Sequence, residues 1–302
     1  MKPAAFDYHR PSSLADACDL LEELDGAEVM AGNQSLGIIM ANRLATPDHI
    51  VDINGVEALS GITVDEDSVT VGALTRHRDI ERSDALREVC PMLPHAAEQI
   101  AGPAVRNMGT LGGSIGEADP AGNYPCCAVA LEADLHLASA EGERTVAAAD
   151  YFIAYMFTDL GEDELIRCIE IDREPFPTER TGMAFLEQKA AAQTWPTISA
   201  ATAVRVDDPD ASDPVVEEAR VALANAADVP LRVEAAEKAV EGEPLSEATL
   251  EAAAEAAIDA ARPEGEMHAN EDYKRELAGE YTRRSLRASH DRATAAAPEV
   301  TP

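Results

Sequence analysis

The sequence contains little lysine, few aromatic residues and no long apolar run. Only four of its 24 basic residues are lysines, and 57 acidic residues give the 302-residue chain a formal net charge of −33. We expect no nucleic-acid partner, and anionic membranes are poor partners too, because both would repel so acidic a surface. We expect neither a membrane span nor a secretory signal, since no run of about 18 apolar residues occurs and the N-terminus lacks an apolar segment.

Cysteine is also scarce, and its spacing excludes the usual ligand motifs. The five cysteines form no CxxC pattern and no Cys/His pair: Cys18, Cys90, Cys126, Cys127 and Cys168. We therefore expect reduced, buried side chains in a cytoplasmic protein, with the adjacent pair at 126–127 serving core packing and not redox chemistry. The acidic, lysine-poor composition is typical of proteins from concentrated salt, where screening removes self-repulsion. An ordinary acidic protein is the alternative.

Hydrophobic periodicity predicts an α+β chain of two domains. In the first part we expect a helix over residues 12–24, a strand before Gly32, a hairpin at 62–71, helices near 76–82 and 94–100, and a glycine-rich loop at 109–116. Pro175, Pro177 and Gly182 mark a boundary. Beyond it we predict three strands, three helices at 231–240, 247–261 and 270–288, and a disordered tail at 289–302.

The first candidate site is the segment Ala31-Gly32-Asn33-Gln34-Ser35-Leu36, which follows a predicted strand and precedes a helix. A glycine turn allows close backbone approach, and consecutive N–H groups can bind an anion such as phosphate. The Ser35 hydroxyl and the Gln34 amide can add donors. A tight turn with Ser35 as a helix cap would look the same in sequence, so both interpretations stand at this point.

The second candidate is the segment Arg106-Asn107-Met108-Gly109-Thr110-Leu111-Gly112-Gly113-Ser114-Ile115-Gly116. Its four glycines again suit a backbone phosphate site. It is not a Walker loop, because no lysine follows the glycines, and it lacks the dinucleotide fingerprint. A flexible surface loop is the alternative.

In order and spacing, these segments and several others are similar to the FAD-binding (medium) subunits of the molybdenum hydroxylases, the carbon monoxide dehydrogenase and xanthine dehydrogenase family. The resemblance covers about residues 2–287. Besides the two glycine segments, it is carried by Pro47-Asp48-His49-Ile50-Val51-Asp52-Ile53, Val71-Gly72-Ala73-Leu74-Thr75, Ala118-Asp119-Pro120-Ala121, residues 165–171 and Asp272-Tyr273-Lys274-Arg275-Glu276-Leu277-Ala278.

The resemblance implies a two-part FAD-binding domain of the vanillyl-alcohol-oxidase type (PCMH type) at about 1–175. Its subdomains would be about 1–56 and 57–175, and an α+β domain with an antiparallel sheet and three helices would follow at 180–288. It implies that both glycine segments hold the FAD pyrophosphate and that isoleucines lie near the flavin. The implied cofactor-binding residues are Val29, Met30, Ala31, Gly32, Asn33, Gln34, Ser35, Leu36, Ile100, Thr110, Leu111, Gly112, Gly113, Ser114, Asn123, Ile166 and Lys189.

The sequence departs from the family pattern at two positions. Asn123 stands where relatives usually carry an aspartate that contacts the cofactor, and Glu187 stands where a basic residue is common, with Lys189 two residues on. Asn33 replaces a frequent glycine, but asparagine also tolerates a positive φ. No catalytic acid or base is identified, and His77, His95 and His136 are interpreted as structural or surface residues.

The resemblance further implies a multi-subunit enzyme. A molybdenum large subunit and a small subunit with [2Fe–2S] clusters would pass electrons to FAD on this chain and from there to an external acceptor. The chain has no cysteine set for such a cluster. Two alternatives remain: a stand-alone FAD-dependent oxidoreductase, and a non-catalytic scaffold whose flavin site has decayed. The substrate is a property of the large subunit.

Overall fold

A computed structural model describes residues 2–295 of the chain. The N-terminal part is a small parallel sheet with strand order β1-β3-β2. Its elements are β1 (Asp7–His9), α1 (Leu14–Glu23), β2 (Ala27–Met30), α2 (Leu36–Ala41) and β3 (His49–Asp52). The Ser13 hydroxyl accepts the backbone N–H of Asp16 and so caps α1. β2 is an edge strand of this sheet, and the first glycine segment follows it directly.

The second part is a five-stranded antiparallel sheet with order β4-β5-β10-β6-β7, accompanied by helices and a separate β8–β9 hairpin. The connection after β5 contains six helices, and it carries the second glycine segment. The elements are β4 (Ile62–Val64), β5 (Ser68–Gly72), α3 (His77–Glu81), α4 (Asp84–Val89), α5 (Met92–Gln99), α6 (Pro103–Arg106), α7 (Leu111–Glu117), α8 (Asn123–Ala130), β6 (Asp134–Ser139), β7 (Gly142–Ala147), α9 (Ala148–Tyr151), β8 (Phe152–Ala154), β9 (Phe157–Thr158) and β10 (Leu165–Asp172).

The C-terminal part is a four-stranded antiparallel sheet, order β11-β12-β13-β14, with three helices. Its elements are β11 (Thr181–Lys189), β12 (Pro196–Val206), β13 (Val216–Ala224), β14 (Leu231–Arg232), α10 (Glu234–Val240), α11 (Glu247–Ala260) and α12 (Glu271–Thr294). The predicted α+β class, the antiparallel sheet and the three terminal helices are confirmed. The predicted helix at 231–240 begins three residues late, because Leu231 and Arg232 pair with β13.

Helix α8 lies between the two larger sheets, and this position explains its composition. All eight of its residues are buried, and six of them belong to a hydrophobic core that also contains residues of β6 and β12. A helix covered on all sides needs no polar face, so the run Asn-Tyr-Pro-Cys-Cys-Ala-Val-Ala shows no helical amphipathicity. Cys126 and Cys127 are core residues, as predicted, and burial raises their thiol pKa values, that of Cys126 to about 12.

Two sequence predictions are wrong. The glycine-rich residues 109–116 are not a loop, because α7 occupies residues Leu111–Glu117 and is anchored by the buried Leu111 and Ile115, one turn apart. The prediction of a disordered tail from residue 289 is also wrong for the described residues, because α12 continues to Thr294. Ser289 is fully buried and hydrogen-bonded to Thr202. The remainder of that prediction, residues 296–302, lies outside the described residues. Between residues 2 and 295, no helix combines the length and the apolarity of a bilayer span.

Candidate functional site

The first glycine segment is the turn between β2 and α2. Asn33 has a φ of 56°, the left-handed conformation that asparagine tolerates. The backbone N–H groups of residues 32–35 donate to no acceptor among the described residues. Ser35 does not cap α2 with its side chain, which disfavours the simple capping interpretation. Of the other predicted residues, Val29, Met30, Ala31 and Leu36 are half-buried around the turn.

The second glycine segment is a short helix held by backbone contacts. Thr110 is buried and caps α7 by accepting the Gly113 N–H at 3.2 Å. The N–H groups of Leu111 and Gly112 donate to Thr75 O and Ala73 O, at 3.1 and 2.8 Å. A Cβ on Gly112 would lie 2.5 Å from the Cβ of Ala73, so this position requires glycine. Gly113 and Gly116 lie on the exposed face of α7, and Ser114 is half-buried beside them.

The two segments meet in space, although about 80 residues separate them in sequence. A Cβ on Gly32 would lie 2.5 Å from Met108 O and 2.7 Å from Gly109 Cα, so the backbones touch here. The Ser35 hydroxyl donates to Glu117 Oε2 at 2.6 Å. We call residues 32–35 together with residues 110–117 the cradle. It combines unpartnered amides on one side with a helix face bare of large side chains on the other.

A polar network that sequence reasoning missed holds the cradle together. Arg76 donates to Met108 O and, at 2.6 Å, to Asn54 Oδ1. Asn54 in turn donates to Ala31 O at 2.8 Å and to Asp52 at 2.6 Å. Burial raises the pKa of Asp52, but hydrogen bonds from Tyr8 and Asn54 outweigh it and hold that pKa below its usual value. The ionised Asp52 thus orients Asn54 between the two glycine segments.

Three further predicted residues form a second group, where α5, α8 and β11 meet. Asn123 is buried and donates to Ala96 O at 3.0 Å and to Glu187 Oε2 at 3.5 Å. Lys189 contacts Glu187 and donates to Gln99 O, next to the half-buried Ile100. Burial raises the pKa of Glu187. The two positions at which the sequence departs from the family pattern are therefore hydrogen-bonded neighbours.

Ile166 lies at the cradle, and Arg106 holds the turn next to the second group. Ile166 on β10 lies beneath α7, where a Cβ on Gly116 would be 3.6 Å from its Cδ1. Arg106 donates to Ile100 O and Ala101 O, at 3.0 and 3.1 Å, and pairs with Glu81. Arg106 thus holds the turn at residues 100–101, which precedes α6 and the second glycine segment. The structure brings Ile166 to the cradle and keeps Ile100, Asn123 and Lys189 together in the second group.

The cradle is suited to a pyrophosphate. Four consecutive N–H groups without acceptors among the described residues can bind an anion, and the exposed Gly113 and Gly116 present no side chain on α7. The donors are neutral, so they add no positive charge. Among the described residues, no three or more His, Cys, Asp or Glu side chains come together so that they could hold a metal ion.

Comparison with known proteins identifies two matching families. Residues 4–173 match the FAD binding domain in molybdopterin dehydrogenase, and residues 183–289 match the CO dehydrogenase flavoprotein C-terminal domain.

Individual relatives match along almost the whole chain. The carbon monoxide dehydrogenase medium chain of Hydrogenophaga pseudoflava is 35% identical over 96% of this chain and 98% of its own. The xanthine dehydrogenase FAD-binding subunit of Escherichia coli O157:H7 is 30% identical over 92% and 94%. A solved structure of carbon monoxide dehydrogenase from H. pseudoflava, lacking the Mo-pyranopterin moiety, superposes with a TM-score of 0.91 at 35% identity, covering 97% of this chain and 99% of that chain.

Proposed function

Because this chain belongs to the FAD-binding medium subunits of the molybdenum hydroxylases, an oxidoreductase family whose cofactor on this subunit is FAD, we propose that it transfers electrons between an iron–sulfur partner and an external acceptor. In this proposal a small subunit with [2Fe–2S] clusters delivers electrons that a molybdenum-containing large subunit has taken from the substrate.

One observation supports the assignment of the cofactor site to the cradle: the amides of residues 32–35 donate to no acceptor among the described residues, at the place where Gly32 touches the backbone that leads into α7. We assign the FAD pyrophosphate to this groove. The N–H groups and the Ser35 hydroxyl would bind it, and the Arg76–Asn54 network would keep the two walls together. Ile100, Ile166, Asn123 and Lys189 would contact the rest of the cofactor.

FAD itself supplies the redox chemistry when bound, and the protein supplies position and exclusion of water. The cysteines favour a separate iron–sulfur chain as electron source, because all five are buried and no group of three or more metal-ligating side chains is placed to hold a metal among the described residues. Cys18 lies in the N-terminal core, and Cys90, Cys126 and Cys127 pack in the central one. We also retain the proposed division into domains at about residue 175, in the irregular segment between β10 and β11.

The test is assembly and substrate-driven reduction. The chain is co-expressed with the large and small subunits proposed as its partners, and we expect a complex of all three that co-elutes on sizing and contains FAD. Substrate added to the complex should bleach the flavin band, whereas the isolated flavin-loaded chain should stay oxidised. Reduction of the isolated chain by the same substrate would contradict the proposal and favour a stand-alone oxidoreductase. A colourless chain that takes up no added FAD would favour a decayed site.

A further inference from the structure

Glu117 is a carboxylate in the cradle that the proposed function does not use. It is half-buried at the end of α7, and its Oε2 accepts the Ser35 hydroxyl across the groove. Ser35 is also a proposed donor to the pyrophosphate. A phosphate oxygen that accepts the Ser35 hydroxyl at about 2.7 Å would lie within about 5.3 Å of this carboxylate oxygen.

An ionised Glu117 would oppose the cofactor in two ways. At an effective dielectric constant of about 20, two unit charges at this distance repel with an energy equivalent to about a hundredfold in affinity. In addition, Ser35 has a single hydroxyl proton, which cannot go to Glu117 and to a phosphate at the same time. A protonated Glu117 removes both conflicts, since it is neutral and can donate to Ser35 Oγ.

We propose that FAD binding is coupled to protonation of Glu117. One proton from solvent binds to Glu117 Oε2, and the new carboxylic O–H donates a hydrogen bond to Ser35 Oγ, while the Ser35 O–H turns from Glu117 to the pyrophosphate. The only covalent bond formed is the O–H bond on Glu117, and its proton is released by water or buffer acid. One FAD and one proton are taken up per chain. This inference rests on the proposed placement of the pyrophosphate in the cradle.

The surroundings of Glu117 favour uptake of a proton. Burial raises its pKa, the hydrogen bond from Ser35 lowers it, and the nearby negative charge of Asp119 raises it further. The helices and strands packed most closely on α7 are β5, α8 and β10. β5 carries no charged side chain, and α8 carries only Tyr124 and two cysteines, whose pKa values are raised by burial.

The charged residues of β10 do not supply a partner for Glu117. Arg167 pairs with Glu143 at 3.0 Å, and Glu170 lies 3.6 Å from His136. Asp172, at the end of β10, accepts the backbone N–H of Glu174. Among the described residues, the groups that shift the pKa of Glu117 include no cation.

The test is FAD affinity against pH for the full chain. By linkage, the wild-type dissociation constant should fall at least about tenfold between about pH 8.5 and about pH 6. Glu117→Gln keeps the shape but cannot ionise, so it should bind FAD within about twofold of one value across the range. At about pH 8.5 it should bind at least about tenfold more tightly than wild type. Calorimetry in buffers of different ionisation enthalpy should show proton uptake with wild type and none with the variant.

Two further variants separate the possible outcomes. Ser35→Ala should weaken binding but keep the pH dependence, because the carboxylate remains. Glu23→Gln removes one exposed charge at the end of α1 and should behave as wild type. An unchanged pH dependence in Glu117→Gln, or weaker binding by it at every pH, would overturn the coupling while leaving the FAD site in place. Failure of wild type to bind FAD at any pH would contradict the proposed site itself.

Discussion

Replacing Gly32 by alanine tests whether the contact between the two glycine segments builds the cofactor site. The new methyl group would lie 2.5 Å from Met108 O and 2.7 Å from Gly109 Cα. Both are backbone atoms, and Met108 O is also held by Arg76, so neither can turn away as a flexible side chain would. The segments must therefore separate by about 1 Å to reach ordinary contact distances.

The magnitude follows from the cost of forcing a methyl group into a packed contact, about 1–3 kcal/mol. If FAD binding must restore the native spacing of the cradle, this cost appears in affinity as about a 5- to 150-fold higher dissociation constant. Strain that remains in the free protein should lower its melting temperature as well. The two effects share one cause and should occur together.

The assay is FAD titration by flavin fluorescence, with circular dichroism to confirm that the fold is retained. Gly265→Ala is the matched control, because it adds the same methyl group where the nearest atom is 3.8 Å away. It should bind FAD as wild type does. A Gly32→Ala protein that is folded and binds FAD within about twofold of wild type would refute the reasoning, since the contact would then not shape the site.

Three further results are expected. Gly113→Asp should purify without flavin, because its side chain meets the Thr110 cap at 2.8 Å and adds a negative charge to the cradle; full flavin content would show that α7 is the wrong wall. His77 should stay neutral down to about pH 5, since burial lowers its pKa to about 4. Its contribution should lower the free energy of unfolding by about 3 kcal/mol as pH falls from about 6.5 to about 4, because over this range the unfolded chain binds the extra proton. NMR titration of its imidazole near pH 6.5 would contradict this. The melting temperature should rise steeply from about 0.01 M to about 1 M KCl, as the Debye length falls from about 30 Å to about 3 Å, and a flat profile would remove the argument from self-repulsion.

The sequence predicted those parts of the fold that local patterns specify. The hairpin at 62–71, the long strands of the C-terminal sheet and α11 have clear periodicity or caps, such as Ser246 capping α11. Turn residues also behaved as expected, with Asn33 at a positive φ. Local patterns do not show which side chains are held by distant parts of the fold. Glycine content predicted a loop at 109–116, but Leu111 and Ile115 are held in the central core, and this outweighs the low helix propensity of glycine.

The residues alone predicted two separate anion sites, and the family resemblance implied that both hold one pyrophosphate, but neither foresaw the contacts that join the two segments. The contacts of Arg76, Asn54 and Glu117 that span the two segments join residues 22 to 82 positions apart in sequence, so no motif marks them. Glu187 is a similar case. In sequence it only replaces an expected basic residue, whereas in the structure it lies against both Asn123 and Lys189. Spacing alone carries no signal for such pairs, because the fold creates them.

The choice of donors in the cradle agrees with the charge of the chain. A site built from lysines would lose much of its attraction if concentrated salt surrounds this protein, because exposed charge pairs are screened. Backbone amides held by packing keep their positions at any ionic strength, and the Gly32–Met108 contact and the Gly112–Ala73 contact are both steric. Arg76 contributes through hydrogen bonds to a carbonyl and an amide, so its role is to hold the two walls together. Such a site depends on precise spacing more than on charge, which is why we expect one added methyl group at Gly32 to weaken FAD binding even in concentrated salt.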